Sequence, residues 1–318
     1  MYTDLIRIPQ LARNRFLPPG LLRLTRNVAV QTLPNQRWDR YRKVRTIRIR
    51  EALRNSGPGT YATLEAAATI YGAEVRREEL DFELAVTTKH ARANTEIGVN
   101  SAVRPSKVTR RRRNLLPAEA FTMFNNQPVI DVSWLILEFL SLKDFRRALV
   151  NAEAMVRRIC PPDLFNFAQV NAKFRAILRK LRELADIHPY ARRRIHRRLR
   201  YLSPWSMSIQ ESELKARMIE AGLPPPVQQH PLVIGEDVFF LDFAWPDQRI
   251  AVEYDGMVKY GSDAHETVVR EKIREDAIRE RFPTLLRFVS DDLRASRRMK
   301  LLLSKFPRSR LRKRLALQ

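Results

Sequence analysis

Apolar positions recur along the chain at helical spacing in some stretches and in alternation in others, and this pattern divides the sequence into elements. Up to about residue 50, Arg, Leu and Pro dominate. There "LIRIPQLARNRFLPPGLLRLTRN" allows one or two short helices broken at Pro9 and at Pro18, Pro19 and Gly20, and "VAVQTLPNQRW" a strand and a turn. A winged helix shows this order; a basic packing arm is the plainer alternative. A helix ending at Ser56-Gly57-Pro58-Gly59 follows, then a second capped by Thr63, with Ala66, Ala67 and Ile70 inward. "DFELAVT" and "IGVNSAV" alternate as strands do, and "TRRRR" from Thr109 to Arg113 is a charge run between elements. "IDVSWLILEFLSLKDFRRALVNAEAMVRR" is strongly amphipathic, with Trp134, Leu135, Leu137, Leu140, Ala148, Leu149 and Val156 as its core. Helix continues over 163–200, setting Arg and Lys opposite Ile177, Leu181, Leu184, Ile195 and Leu199.

The C-terminal part has its own order. A helix over Ile209 to Glu220 ends at Gly222 and Pro224. Phe239 to Ala244 alternates as one strand, and a turn at Pro246-Asp247 leads into "RIAVEYDG" as a second. A long helix from Ala264 to Arg281, a short buried strand "TLLRFV" and a last helix capped by Ser290 or Asp291 complete it. The pattern predicts an α+β or α/β multidomain protein: a basic α/β region over 1–130, with a degenerate winged helix at 1–50, a basic helical region over 131–204 and an α/β domain with a central mixed sheet over 205–318.

Charge changes the picture. The chain has 318 residues, with 59 Lys and Arg against 35 Asp and Glu, a net charge of +24 that calls for a polyanionic partner. From Trp205 onward there are 20 basic and 17 acidic residues, a net of +3; the first 204 keep 39 and 18, a net of +21. The N-terminal two-thirds is therefore expected to do most of the gripping, through Arg110, Arg111, Arg112 and Arg113 and through Arg192, Arg193, Arg194, Arg197 and Arg198, although a basic helical face is also explained by solvation alone. No run of 18 apolar residues exists, so no membrane partner is expected. The first twenty residues lack the apolar centre of a signal peptide, and Cys160 is the sole cysteine; a cytoplasmic location is expected, and neither an internal disulfide nor a cysteine-based zinc site can form. The sequence says nothing of oligomeric state.

Chemistry concentrates in the C-terminal domain. Glu253 and Asp255 lie two apart on a strand and point to one face, while Asp242 interrupts apolar sequence on the strand before. Carboxylates in a hairpin that should be core are costly unless neutralised, and a divalent cation with oxygen ligands does that. The alternative is an open sheet edge where the acids pair with Lys or Arg. His230 and His265 lack partners at metal spacing, and neither a glycine-rich phosphate loop nor a Ser-His-Asp set is present.

The spacing of Glu211, "LDFAWP" and "VEYDGMVKY" resembles the PD-(D/E)XK (restriction-endonuclease-like) fold in its very-short-patch-repair variant, over residues 205–318. The resemblance implies a Mg²⁺ (or Mn²⁺) dependent endonuclease. Its metal ligands are Asp242, Asp255 and Glu253, with Glu211 closing the site from a helix and Gly256 turning the chain away. The lysine of the family's E-x-K signature is absent, since Asp255 takes its place; Lys259 stands where this subgroup has His or Lys and is expected to stabilise charge on the attacked phosphate. Arg270, Lys272 and Arg274 follow on the next helix as phosphate contacts, with salt bridges to Glu271, Glu275 and Asp276 as the alternative. Residues 51–158 resemble the AbiEi-like antitoxins of actinobacteria, which implies phage defence or mobile-element conflict. The expected partner is nucleic acid, DNA before RNA. The alternatives are a nucleic-acid-binding regulator or antitoxin with an inactive nuclease-like domain, and a nuclease acting on structured RNA.

Overall fold

The computed structural model describes residues 5–7, 20–76, 80–88, 94–99, 101, 103–255, 264–293 and 296–311. The chain forms two compact units: Met1–Ser141 with Lys180–His196, and Leu142–Arg179 with Arg197–Gln318. The protein is mixed α and β, as its pattern predicts. No helix among the described residues is long and apolar enough to cross a membrane.

The first unit holds two sheets. Strands β1 (Leu5–Arg7), β2 (Leu22–Thr25) and β3 (Val28–Val30) form an antiparallel sheet in the order β1-β3-β2, and α1 (Arg37–Arg54) packs on it. Their shared core is Leu24, Val28, Val30, Val44, Ile47 and Leu80. Leu22–Thr25 is thus a strand where helix was expected; its inner residues Leu24 and Thr25 are buried and its outer ones are not. The expected breaks at Pro9, Pro18 and Pro19 lie outside the described residues. Arg48 of α1 is fully buried, and its guanidinium donates to the carbonyls of Leu24, Val103 and Arg104 and the hydroxyls of Ser101 and Ser106.

The second sheet runs β6-β7-β5-β4-β9-β8. Its members are β4 (Thr60–Ala62), β5 (Phe82–Val86), β6 (Thr95–Ile97), β7 (Ser106–Arg112), β8 (Phe121–Phe124) and β9 (Gln127–Ile130). The short helix α2 (Leu64–Ile70) follows Thr63, whose side chain makes no cap bond. Two expectations shift here. The strand expected over "IGVNSAV" lies earlier, and most of "TRRRR" is strand rather than connection, because β7 pairs in parallel with β5 from Phe82↔Val108 to Val86↔Arg112. The amphipathic stretch from Asp131 is two helices, α3 (Val132–Ser141) and α4 (Phe145–Ile159), and Asp144 caps the second by accepting from Arg147 N at 3.0 Å. Two more follow, α5 (Phe167–Ile187) and α6 (Arg192–Leu199).

The second unit contains α7 (Ile209–Glu220), β10 (Val227–Ile234), β11 (Asp237–Trp245), β12 (Ile250–Tyr254), α8 (Ala264–Arg281), β13 (Thr284–Phe288) and α9 (Arg297–Ser304). The sheet order β10-β11-β12-β13 is antiparallel twice and then parallel, so this sheet is mixed. Leu214, Met218, Phe243, Trp245, Ile250, Val252, Phe288 and Leu302 form the core on one face. Leu232, Leu241, Ala244, Ala251, Ile278, Phe282 and Leu285 form it on the other. Strand β10 was not expected, and Gly235 turns it into β11 at a φ of +62°, where a side chain would be strained. The last helix starts after Ser296, later than the caps expected at Ser290 or Asp291.

Candidate active site in the second unit

Glu211 is positioned by its own helix terminus. Ser208 caps α7, its hydroxyl accepting from Glu211 N at 3.1 Å. The Glu211 carboxylate reaches back to accept from Ser208 Oγ at 2.9 Å and from Met207 N at 2.7 Å, a capping box in all but the backbone donor. The sequence signal was there in Ser208-x-x-Glu211.

Asp242 sits where two strands part. The β11–β12 ladder runs from Trp245↔Ile250 to Phe243↔Val252 and stops. The next N–H, that of Tyr254, goes to Asp242 Oδ2 at 2.8 Å. On the other side, Gln229 of β10 has a φ of +49°, the left-handed region. Leu241 and Phe243, two apart and expected on one face, pack into opposite cores. The break in the hairpin is what turns Asp242 out of the core pattern. Gln229 is buried, and its Nε2 faces Glu211 Oε2 at 3.3 Å and Asp242 Oδ1 at 3.5 Å. Sequence reasoning passed over Gln229, because nothing in "VQQHPL" announces a left-handed residue.

Glu253 and Asp255 do share a face, as their spacing predicts. Arg287 of β13 lies 3.6 Å from Glu253 Oε2, 3.9 Å from Asp255 Oδ2 and 3.5 Å from Glu275 Oε2. It is brought there by the parallel register Glu253↔Arg287, and it too was missed. Arg274 of α8 donates to Glu253 Oε1 at 2.7 Å and lies over the Phe239 ring. Of the cations read as phosphate contacts on this helix, Arg274 thus makes the salt-bridge alternative, though with Glu253, and Lys272 is exposed. Lys259, Gly256 and the side chains of Arg270 and His265 lie outside the described residues.

The electrostatics follow from burial. Burial, helped by the charge of Asp242, pushes the Glu211 carboxyl up to about 7, against the Met207 and Ser208 hydrogen bonds. Burial also raises Asp242, with Asp255 adding to the rise and Tyr254 N–H, Gln229 and Arg274 opposing it. Glu253 is raised in the same way, with Asp242 and Asp255 repelling it and Arg274 and Arg287 holding it down. The charge of Asp242 thus reaches Glu211 on α7 and Glu253 on β12, and that of Asp255 reaches Asp242 and Glu253. Among the described residues no three His, Cys, Asp or Glu stand together closely enough to hold a metal ion. The donor set still fits a hard cation in kind: Asp242 and Asp255 are carboxylates that repel each other, and an ion with oxygen ligands relieves that repulsion. Glu253 fits less well, since two guanidinium groups already engage it.

Beneath the site a buried polar network ties α4, α7 and β10 together. Lys215 pairs with Glu153 and donates to Tyr201 O and Gln228 Oε1, each at 3.0 Å. Ser206 donates to Glu153 and accepts from Gln228 Nε2. Burial lowers the Lys215 ammonium, and Glu153 holds it up.

The arginines proposed to grip nucleic acid divide. Arg110 bonds Thr95 Oγ1, Arg111 pairs with Glu83, Arg112 is exposed, and Arg113 donates to the fully buried Glu138 at 2.6 Å. On α6, Arg193 and Arg197 are exposed, and Arg192 pairs with Asp186 at the surface. Arg194 donates to Ser141 O, whereas Arg198 is buried and donates to Leu142 O and Lys143 O.

No family model matches the chain, and no solved structure matches it. It is similar to two proteins of Mycobacterium tuberculosis, one from strain CDC 1551 / Oshkosh and one from strain ATCC 25618 / H37Rv, both named only as uncharacterized. Each is 38% identical to it over 88 residues, 27% of this chain and 32% of theirs, so the chain covers about a third of the length of these relatives.

Proposed function

We propose that the second unit is a metal-dependent nuclease of the PD-(D/E)XK class, in its very-short-patch-repair form, hydrolysing phosphodiester bonds in nucleic acid, with DNA as the first substrate. The observation that carries this is three buried carboxyls raised by desolvation, Glu211, Asp242 and Glu253, with Asp242 repelling Glu211 and Asp255 repelling Asp242 and Glu253, near the point where β11 and β12 part. A fold keeps such a set only if something offsets its cost. Asp242 and Asp255, with Glu253 beside them, would hold Mg²⁺ or Mn²⁺, which polarises the phosphoryl oxygen and lowers the pKa of its bound water. Gln229 keeps Glu211 and Asp242 apart and oriented. Arg287 spreads one positive charge over Glu253, Asp255 and Glu275 and so holds their side chains in register. The resemblance of residues 51–158 suggests a setting in phage defence or mobile-element conflict, in the cytoplasm.

A second reading, a nucleic-acid-binding regulator with an inactive nuclease-like unit, draws on the ion pairs that engage Glu253 and on the role of Glu211 in capping α7. One experiment separates the two. Duplex DNA, single-stranded DNA and RNA are incubated with the full chain in Mg²⁺ and in EDTA, beside Asp242→Asn. The nuclease reading expects cleavage in Mg²⁺ alone, abolished in the variant while binding stays equal or tightens. Binding without cleavage on every substrate would establish the regulator instead.

A further inference from the structure

An aromatic stack lies next to the acid site in the same unit. Phe167, at the start of α5, stacks on Trp205 with ring centroids 4.1 Å apart and planes 17° apart. It is also near-parallel to Phe240, at 5.9 Å and 19°. Phe165 sets its edge against Phe240 at 6.5 Å and 85°, and it is 90% exposed. A Phe left in water forgoes the burial that normally justifies it. Its position is not slack, because Asp163 accepts from Phe165 N at 3.0 Å and from Asn166 Nδ2 at 2.6 Å, fixing the turn that presents the ring. Phe240 is two residues from Asp242 on β11.

The stack continues into positive charge. Phe167, Asn171, Arg175 and Arg179 recur every four residues and form one stripe along α5, about 6 Å apart along the axis. Asn171 Oδ1 accepts from Trp205 Nε1 at 3.0 Å, which turns this stripe toward the stack. Arg175 and Arg179 are exposed and have no ion-pair partner among the described residues. Flat apolar rings followed by unpaired guanidinium groups are complementary to a ligand with exposed π-faces on an anionic backbone.

We propose that Phe165, with Phe167 and Phe240 behind it, is a stacking platform for an unpaired base, and that Arg175 and Arg179 follow the phosphates of the same strand. The substrate class is thereby narrowed to nucleic acid with a single-stranded segment. The proposal rests on the reading of this unit as acting on nucleic acid, but it concerns binding and not hydrolysis.

The test uses the full chain in EDTA, so that no cleavage intervenes, with a fluorescein-labelled oligothymidylate and a blunt duplex of equal length as probes. Phe165 touches no core, so Phe165→Ala should fold as the parent does. Stacking on an aromatic is worth about 1–3 kcal/mol per base, so the variant should bind the single strand roughly 5- to 150-fold more weakly and the duplex unchanged. Phe165→Trp should restore binding. Arg175→Ser with Arg179→Ser should flatten the single-strand salt slope by about 1.4, at about 0.7 per phosphate. Unchanged single-strand affinity in Phe165→Ala would overturn the proposal, as would equal loss on both probes. Sedimentation showing that Phe165→Ala dissociates a dimer would make the patch a contact between copies and overturn it equally. An Asp242→Asn chain that binds the single strand normally would keep this result separate from the fate of the nuclease reading.

Discussion

A carboxyl group that loses its water keeps its proton to higher pH, and Glu211 does so most clearly. Its folded pKa of about 7 lies above the ordinary 4.5, so the folded state binds the proton more tightly than the unfolded one. Stability should therefore fall as pH rises from about 4.5 to about 7 and stay flat above. Glu211→Gln, which carries no titrating proton, should remove that fall, raising stability at pH 8 relative to pH 5 by roughly 1–3 kcal/mol compared with the parent. Urea unfolding at the two pH values measures this, and parallel profiles for parent and variant would refute it. Gln229 makes a different prediction, since its left-handed backbone is strained in any residue but glycine. Both Gln229→Ala and Gln229→Gly lose the amide, but the glycine variant should be the more stable of the two by about 1 kcal/mol. Of these residues the sequence announces the acids, because charge inside apolar sequence is visible as a break in pattern. It does not announce Gln229 or Arg287, whose roles come from a backbone conformation and a parallel register that local pattern does not encode.

Among elements, α6 carries the clearest lesson. Five arginines in eight residues look like one cationic face, yet two of them are turned into the structure as hydrogen-bond donors to the turn between α3 and α4. Such carbonyls at a helix end have no partner in their own helix, and a guanidinium fork can satisfy two at once. Arg198→Ser should therefore cost about 2–4 kcal/mol of stability, while Arg193→Ser should cost almost nothing, as thermal unfolding would reveal. Equal effects would mean that burial does not distinguish them. Helix α7 was legible to the residue because Ser208 caps its start and Gly222 and Pro224 bracket its end, and the bounds expected for α8 are those found. Strand β10 was not, because Pro224, Pro225 and Pro226 precede it and Pro231 sits within it. Proline is tolerated there because β10 is the edge of its sheet and need not donate outward. The "TRRRR" run failed for the converse reason: its charges conceal the end of a strand, where Arg111 pairs with Glu83 and Arg113, just past the strand, pairs with Glu138.

Across the whole molecule, the first 204 residues carry a net charge of +21, but among the described residues Arg113, Arg194 and Arg198 of the expected contacts are turned to partners inside the fold. Replacing Arg192, Arg193 and Arg197 by Ser should flatten the duplex salt slope by about 2 to 3, at about 0.9 per phosphate contacted. An unchanged slope would move the contact elsewhere in the basic N-terminal portion. Cys160 offers a way to observe the second unit as a whole. It is the sole cysteine, fully buried at the end of α4 beside Val170 O, and burial raises its thiol pKa. Since the thiolate is the reactive form, a thiol reagent meets it only when the unit opens, so the rate of labelling is a clock for that opening. A ligand held only by the closed unit slows the clock by the factor one plus its concentration over Kd. Mg²⁺ should slow labelling in the parent chain and leave the Asp242→Asn clock running at its own rate.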